Sequence, residues 1–348
     1  MVRGSLHGIA RYALELARRL PQLEPGWQFI GLVGPDGLPD DLGDLVPRIP
    51  LEKCLGGFLS PIEQPTLLAS LVKVRPDLFH ATSFSLPAMW PGRLVATLHD
   101  ATHLALPEDQ TPVQAAYYRV IVAPRARRAA ALLTVSEFSR REISRHLGLS
   151  EYRLQVIPNG VDALFRASSP SELDDFRRRR GLPPRYFAAV GNPKPHKNLL
   201  LLLPIIDDLP APIALLAGRG ARRALGLPES VIEISPLSDT DLALFYGGAV
   251  AVMVPSRYEG FGLPALEALA CGAPVIASNA GAHPETTGSA ALLVDPDDPK
   301  AWLEAAQRLF RDEDLRRKLG EAGKERAALY SWDDCARRTL EVYRRALA

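Results

Sequence analysis

The 348-residue chain contains only three cysteines, Cys54, Cys271 and Cys335, set far apart and with no C-x-x-C pair among them. This excludes a disulfide framework and gives no zinc-ligand spacing; a reducing cytoplasm fits. No apolar run approaches the roughly 20 residues needed to cross a bilayer. The longest, Leu199 to Ile206, is strand- or helix-sized and carries Pro204. No secretory signal is visible. No G-x-G-x-x-G follows an apolar run, so a nicotinamide site is unsupported. A G-x-S-x-G elbow and a Walker lysine motif are also missing, and no repeat occurs at solenoid periods. The net charge is only +1, with both signs mixed through both halves. Nothing in that balance calls for nucleic acid, and no long basic block marks a membrane-binding tail. Arginine clusters at Arg125, Arg127 and Arg128 and at Arg177 to Arg180 read as solvated helix faces or as contacts for an anionic lipid or substrate.

With 47% apolar and 23% charged residues the chain reads as a globular protein with an ample core, long enough for two domains. Short apolar runs alternate with longer amphipathic segments, the look of βα units and parallel sheets. The first half carries strand signals at Phe29–Val33, Leu78–Ala81, Leu94–Leu98, Leu132–Val135 and Gln155–Ile157. The second carries them at Phe187–Val190, Ile213–Ala217, Val231–Ile234, Ala251–Val254, Val275–Ala277 and Leu292–Val294. The expected fold class is α/β, with two Rossmann-like doubly wound domains facing across a cleft. The expected division is 1–168, 169–330 and a final amphipathic helix over 331–348. The polar segments SSPSEL and RRRRGLPP, between Phe165 and Arg185, mark the junction.

The opening, MVRGSLHGIARYALELARRL, is a glycine-containing loop followed by a helix from about Ile9 to Leu20. A doubly wound domain normally begins with a strand that feeds such a loop and lies centrally in the sheet. Without it, two neighbours keep unpaired ladder groups, at about 1–3 kcal/mol per buried orphan. The expectation is that Met1 is an internal methionine of a longer parent, shortened by one strand. A central strand supplied by other residues of the chain would refute it.

The most informative stretch is EGFGLPALEALACGAPV, Glu259 to Val275. Glu259 and Glu267 bracket a turn holding Gly260, Gly262 and Pro264, and a short apolar helix then runs to Gly272. Proline suits the start of a helix, where its missing N–H would be unpaired anyway. The glycines let backbone approach a bulky anion, which the free amides and the positive helix end then face. Two acids on either side can grip hydroxyls at both ends of a diphosphate. Taken alone, the segment also reads as a plain loop with a solvated glutamate.

Three further segments carry chemistry. GNPKPHKN, Gly191 to Asn198, follows a strand and puts His196 and Lys197 at the next helix start, a phosphate-grip layout. His99, beside Asp100, ends an apolar strand, where ligands sit in open α/β sheets; it can bond a sugar hydroxyl or be a core histidine oriented by Asp100. Val156 to Asp162, VIPNGVD, is a strand ending in an Asn-Gly turn. The string Asp295, Asp297, Asp298 reads as a helix-capping loop and not as a metal site.

With these residues in place, the chain resembles the retaining glycosyltransferases of the GT-B class, family 4. The resemblance covers nearly the whole length and rests on an ordered set: HGIARY, the HD after a strand, TVSEFSRREI, VIPNGVD, GNPKPHKN, EGFGLPALEALACGAPVIAS and a final helix. It implies that Glu259 meets the donor sugar's hydroxyls and Glu267 the nucleotide ribose. Gly260, Phe261, Gly262 and Leu263 would present backbone to diphosphate and sugar, and Lys197 would neutralise the diphosphate. Gly8 would approach the donor phosphate, His99 would lie near the transferred sugar, and Leu237 by the base. The position before Lys197 is usually arginine in the family; His196 departs from this and weakens the clamp above neutral pH. The final helix would cross back to the first domain.

The implied reaction moves a hexose from a nucleoside diphosphate sugar, GDP-mannose or a UDP-hexose, to a glycan or lipid-linked acceptor hydroxyl, with no cofactor and no metal. The slight lean is to mannose. A lipid-linked acceptor would bring the first domain of this cytoplasmic protein to the inner face of the membrane. Alternatives are another GT-B enzyme, such as a nucleotide-sugar epimerase or a phosphorylase, or an inactive sugar-nucleotide binder.

Overall fold

The computed structural model describes residues 8–35, 49–106 and 111–348. They fall into two units: one runs to Gly160 and resumes at Trp332–Ala348, and the other is Val161–Ser331.

In the first unit, β1 (Gly31–Val33) and β2 (Leu51–Lys53) pair in parallel as a two-stranded sheet. β3 (Leu78–Ala81), β4 (Arg93–Thr97), β5 (Ala131–Thr134) and β6 (Leu154–Val156) form a separate parallel sheet in that order. β2 carried no sequence signal, because Leu51 and Lys53 are exposed and only three residues pair. The first helix, Gly8–Leu23, is buried on most sides, with Ala10, Tyr12, Leu14, Leu16 and Leu20 as its buried apolar residues and Arg11 and Glu15 buried beside them. Among the described residues no strand pairs with the outer edge of β1 or β3. No described segment substitutes for the strand expected ahead of the first helix.

The final helix, Trp332–Leu347, is part of this unit. Trp332 is buried and lies edge-on to Tyr12, with centroids 6.3 Å apart. An Arg338 guanidinium nitrogen donates to the Val156 carbonyl at 2.6 Å. Arg19 of the first helix pairs with Asp333 at 2.5 Å.

The second unit holds one parallel sheet of β7 (Phe187–Val190), β8 (Ile213–Leu216), β9 (Ile232–Glu233), β10 (Ala251–Val254), β11 (Val275–Ser278) and β12 (Leu292–Val294). Its order is β9-β8-β7-β10-β11-β12, the doubly wound 3-2-1-4-5-6 arrangement. The strands read as continuous apolar runs because helices cover both faces. Phe187, Met253, Ile276 and Trp302 are fully buried in its core.

The segment expected as a polar junction is instead a helix of the second unit, Pro170–Arg180. Ser169 caps its start, Phe176 is fully buried, and Gly181 ends it in a left-handed conformation. Its arginines are tied down: Arg177 donates to the Gly248 carbonyl at 2.9 Å, and Arg179 and Arg180 both pair with Asp241. The boundary therefore falls at Gly160, ahead of the expected 168.

Candidate active site

All six strands of the second unit run parallel, so their carboxyl ends lie along one edge of the sheet. Strand order reverses between β7 and β10, and that crevice is where open α/β sheets take ligands. Lys197 stands on the loop after β7 and Glu259 on the loop after β10. Lys197 Nζ is 2.7 Å from Glu259 Oε1, and their side chains are 18% and 13% exposed. Burial alone would push the Glu259 carboxyl up; Lys197, and then His283, outweigh it and hold the carboxyl below its ordinary value. The pair is therefore ionised and largely shielded from solvent, which strengthens it relative to a surface bridge.

One further loop, after β12, helps to fix this geometry. Asn198 adopts φ +54, tolerable for asparagine, and its amide donates to the carbonyls of Pro255 at 3.1 Å and Pro296 at 2.8 Å. Its side-chain oxygen accepts from Arg257. The Arg257 N–H donates to the carbonyl of buried His196 at 2.8 Å. The Lys197 loop is thus stitched to the Glu259 loop through backbone and amide. Asp297 accepts from Arg257 at 3.0 Å, and Asp298 caps the helix Pro299–Arg311 through the Ala301 N–H.

Gly260, Phe261 and Gly262 are buried and lead directly into the helix Leu263–Ala270. Gly262 is its N-cap at φ +88, a conformation that side chains rarely adopt. A Cβ there would meet His283 Cδ2 at 2.9 Å. The carbonyls of this loop are already used: Glu259 O accepts from the Ala282 N–H at 3.0 Å and Phe261 O from Thr286 Oγ1 at 2.5 Å. The amides at the helix start are what the loop leaves for a ligand. One turn on, buried Glu267 accepts from the Tyr246 hydroxyl at 3.3 Å. The helix is held against Glu313–Ala327 through two glycines; a Cβ on Gly320 would lie 2.5 Å from the Gly272 carbonyl oxygen.

Leu237, half-buried, lies between β9 and the helix Asp239–Gly247 at the same edge of the sheet. In the first unit, Gly8 opens the first helix and is exposed. Tyr12, one turn on, packs edge-on to His99 with centroids 4.8 Å apart, and its hydroxyl lies 2.9 Å from Thr97 Oγ1. His99 follows β4, is 6% exposed, and places Nε2 2.9 Å from the Thr82 carbonyl oxygen, which fixes the proton on that nitrogen. The Asp100 carboxylate caps the next turn by accepting from the Thr102 N–H at 2.9 Å.

Two family models cover this chain almost end to end: Glycosyltransferase Family 4 over residues 6–163 and Glycosyl transferases group 1 over residues 171–326. The chain belongs to glycosyltransferase family 4. This glycosyltransferase is 29% identical to the O-antigen chain mannosyltransferase B of Escherichia coli, over 99% of its own length and 97% of the relative's. It is 34% identical to the MMP alpha-(1->4)-mannosyltransferase of Mycolicibacterium hassiacum, over 64% of its own length and 56% of the relative's. Its fold matches Anabaena HepE, solved with UDP and glucose, at TM-score 0.78 and 19% identity, over 98% of this chain and 97% of that one. It is an α/β hexosyltransferase of GT-B type. Among the described residues no group of three His, Cys, Asp or Glu side chains stands close enough to hold a metal ion, and no helix is long and apolar enough to cross a membrane.

Sequence reasoning missed one site residue of the glycosyltransferase, His283. It is fully buried after β11, with Nδ1 2.8 Å from Ser278 Oγ and Nε2 without a hydrogen-bond partner among the described residues. Burial lowers its pKa; Glu259 pulls the other way and Lys197 adds to the lowering. Its place directly after a strand's carboxyl end was the available signal, the one that drew attention to His99.

Proposed function

We propose that this glycosyltransferase moves a hexose, with mannose the first to test, from a nucleoside diphosphate sugar to a glycan or lipid-linked hydroxyl, with retention and without a metal. The observation that carries this reading is the Lys197–Glu259 pair at the β7/β10 switch point, beside the glycine-capped helix start at Gly262. The names of the two mannosyltransferase relatives and the UDP in HepE support the choice of donor class.

The residues take these parts. Lys197 and the amides opening at Gly262 face the diphosphate, whose negative charge grows as the sugar leaves. Leu263 and Gly260 shape the backbone around it, and Glu267 holds the ribose while Leu237 borders the base. Glu259 accepts from sugar hydroxyls and keeps Lys197 aimed. His283, neutral at pH 7, supports the Gly262 turn from beneath. In the first unit, Gly8 and His99 serve the phosphate and the transferred sugar.

A charged hydrogen bond from Lys197 contributes about 1.5–3 kcal/mol, and the helix end roughly 0.3–2 kcal/mol. Enzymes lower barriers by about 8–23 kcal/mol, so orientation of the acceptor and exclusion of water must supply most of the rest. With no protein nucleophile assigned, the acceptor oxygen attacks on the face from which the diphosphate departs. The C–O bond to phosphate breaks, the new glycosidic bond forms, and a departing phosphate oxygen takes the acceptor's proton.

Calorimetry with UDP and GDP, paired with turnover assays on a labelled nucleotide-sugar panel in the presence of EDTA, tests this. Expected are micromolar nucleotide binding, EDTA-insensitive turnover and an α-linked product from an α-linked donor. Binding without turnover on any acceptor would favour an inactive binder; a sugar covalently trapped on Glu259 would overturn the same-face route.

A further inference from the structure

Thr286 and Thr287 are neighbours on the helix His283–Thr287 and both are fully buried, yet their hydroxyls go to different places. Thr287 Oγ1 donates back to the His283 carbonyl at 2.8 Å, the ordinary choice for a threonine inside a helix. Thr286 Oγ1 instead donates across to the Phe261 carbonyl at 2.5 Å. That carbonyl shares a peptide plane with the Gly262 N–H, and in a trans peptide the two point in opposite directions. Fixing the one therefore aims the other. A peptide that precedes a glycine turns over at little steric cost, because no Cβ resists either setting. Turned over, it would offer a carbonyl oxygen to an anion in place of an N–H.

The hydroxyl can aim that peptide only if its own helix is held. His283–Thr287 is little more than one turn long and stops at Gly288, so its last carbonyls must find donors beyond it. Arg326, in the last turn of the helix Glu313–Ala327, supplies them. Its Nε donates to the Thr286 carbonyl at 2.9 Å, and its Nη2 donates to the Glu285 carbonyl. The Tyr330 hydroxyl accepts from the same Nη2 at 2.9 Å, and the Tyr330 ring lies edge-on to Phe261 with centroids 5.5 Å apart. The contacts close a circuit inside the second unit, from Phe261 to Thr286, Arg326, Tyr330 and back to Phe261.

We propose that Thr286 and Arg326 are positioning residues of the donor site. Arg326 anchors the end of the short helix, and the Thr286 hydroxyl in turn holds the Phe261–Gly262 peptide so that the Gly262 N–H faces the diphosphate. This inference rests on the donor-site reading and adds to it the residues that aim the anion-binding amide. Both act through the backbone of the turn, so their effect is confined to the share of affinity that the diphosphate supplies.

The test measures the affinities of UDP and uridine, and of GDP and guanosine, by displacement of labelled nucleotide, and reads the diphosphate-to-nucleoside ratio for each variant. T286V keeps the shape and removes the hydroxyl; it is expected to lower the ratio about 3- to 10-fold, the worth of one neutral hydrogen bond. T286S, which restores the hydroxyl, should hold the native ratio. R326Q should fall in the same range as T286V, and T286V/R326Q no lower than T286V alone, because the two residues act in series. If R326Q does not fold, R326K, with the charge but without the planar fork, replaces it. K197M reports on the donor site itself, and its ratio should drop too. An unchanged ratio in K197M would overturn the donor-site reading and this inference with it. A drop in K197M with no drop in T286V, or with UDP and uridine weakened alike in T286V, would overturn this inference alone. Additive losses in the double variant would show that Arg326 acts by its own charge and would overturn its positioning role.

Discussion

Lys197 Nζ lies 2.7 Å from Glu259 Oε1, an ion pair that joins the loop after β7 to the loop after β10 across the point where strand order reverses. Each partner is on a different crossover, and neither loop is fixed by its own strand alone. Replacing one partner leaves the other charge shielded and unpaired, which costs about 3–5 kcal/mol when burial is complete and falls at the low end of that range here. K197M is expected to lower kcat/KM about 10- to 150-fold, the worth of one charged hydrogen bond. The double variant K197M/E259L should unfold at higher urea than K197M alone. Equal stability of the single variant and the native chain would show the pair to be solvated and weak.

Acid should destabilise the second unit in two stages. Folding depresses the pKa of His283, so the unfolded chain gains a proton first, and stability declines as pH falls below about 6.5, by at most about 1.36 kcal/mol per pH unit for one proton. Folding also depresses Glu259, so the stability it supplies is intact above about pH 4.3 and is lost as pH falls through its lower folded value. Urea unfolding of H283Q at pH 5 and pH 7 should show a smaller difference between the two than the native chain does. An unchanged difference would mean that His283 is protonated in the fold.

Gly262 combines two demands that no other residue meets together. Its φ of +88 disfavours a side chain, at about 1–3 kcal/mol, and a Cβ would crowd His283 at 2.9 Å. G262A is expected to weaken nucleotide binding at least tenfold and to lower stability. Adding H283A should recover the part due to crowding and leave the part due to φ. Full recovery in G262A/H283A would mean that the left-handed turn carries no cost.

Glu267 is buried one helical turn past Gly262 and takes the Tyr246 hydroxyl at 3.3 Å. If it holds the ribose, E267Q should raise the KM for donor about tenfold with a smaller change in kcat, while Y246F should change both little. Steady-state kinetics with a fixed acceptor separates these outcomes. A loss confined to kcat in E267Q would place this carboxylate in the chemical step instead.

Much was legible because it is local. Apolar runs such as Phe187–Val190 and Ala251–Val254 are strands wherever they are placed in a covered parallel sheet, and both sit where their composition put them. The Glu259–Glu267 spacing, the glycines before Pro264 and the lysine of GNPKPHKN are sequence facts with direct chemical meaning. Three-residue β2 escaped notice because exposed Leu51 and Lys53 leave no buried face to read. The arginine run at 177–180 does end a helix, as its reading as a helix face expects, but not a junction: its partners Asp241 and the Gly248 carbonyl lie more than 60 positions away, beyond any local reading.

The amino-acid order alone determined which segments become strands, which loops carry acid, lysine and glycine, and which family those loops resemble. Only the folded chain decided that Lys197 and Glu259 pair, that His283 lies beneath Gly262, and that Arg326 holds the Glu285 and Thr286 carbonyls. The physical reason is that a side chain's partner is set by strand order and crossover, which bring together residues far apart in sequence, whereas propensity and turn chemistry act within a few residues.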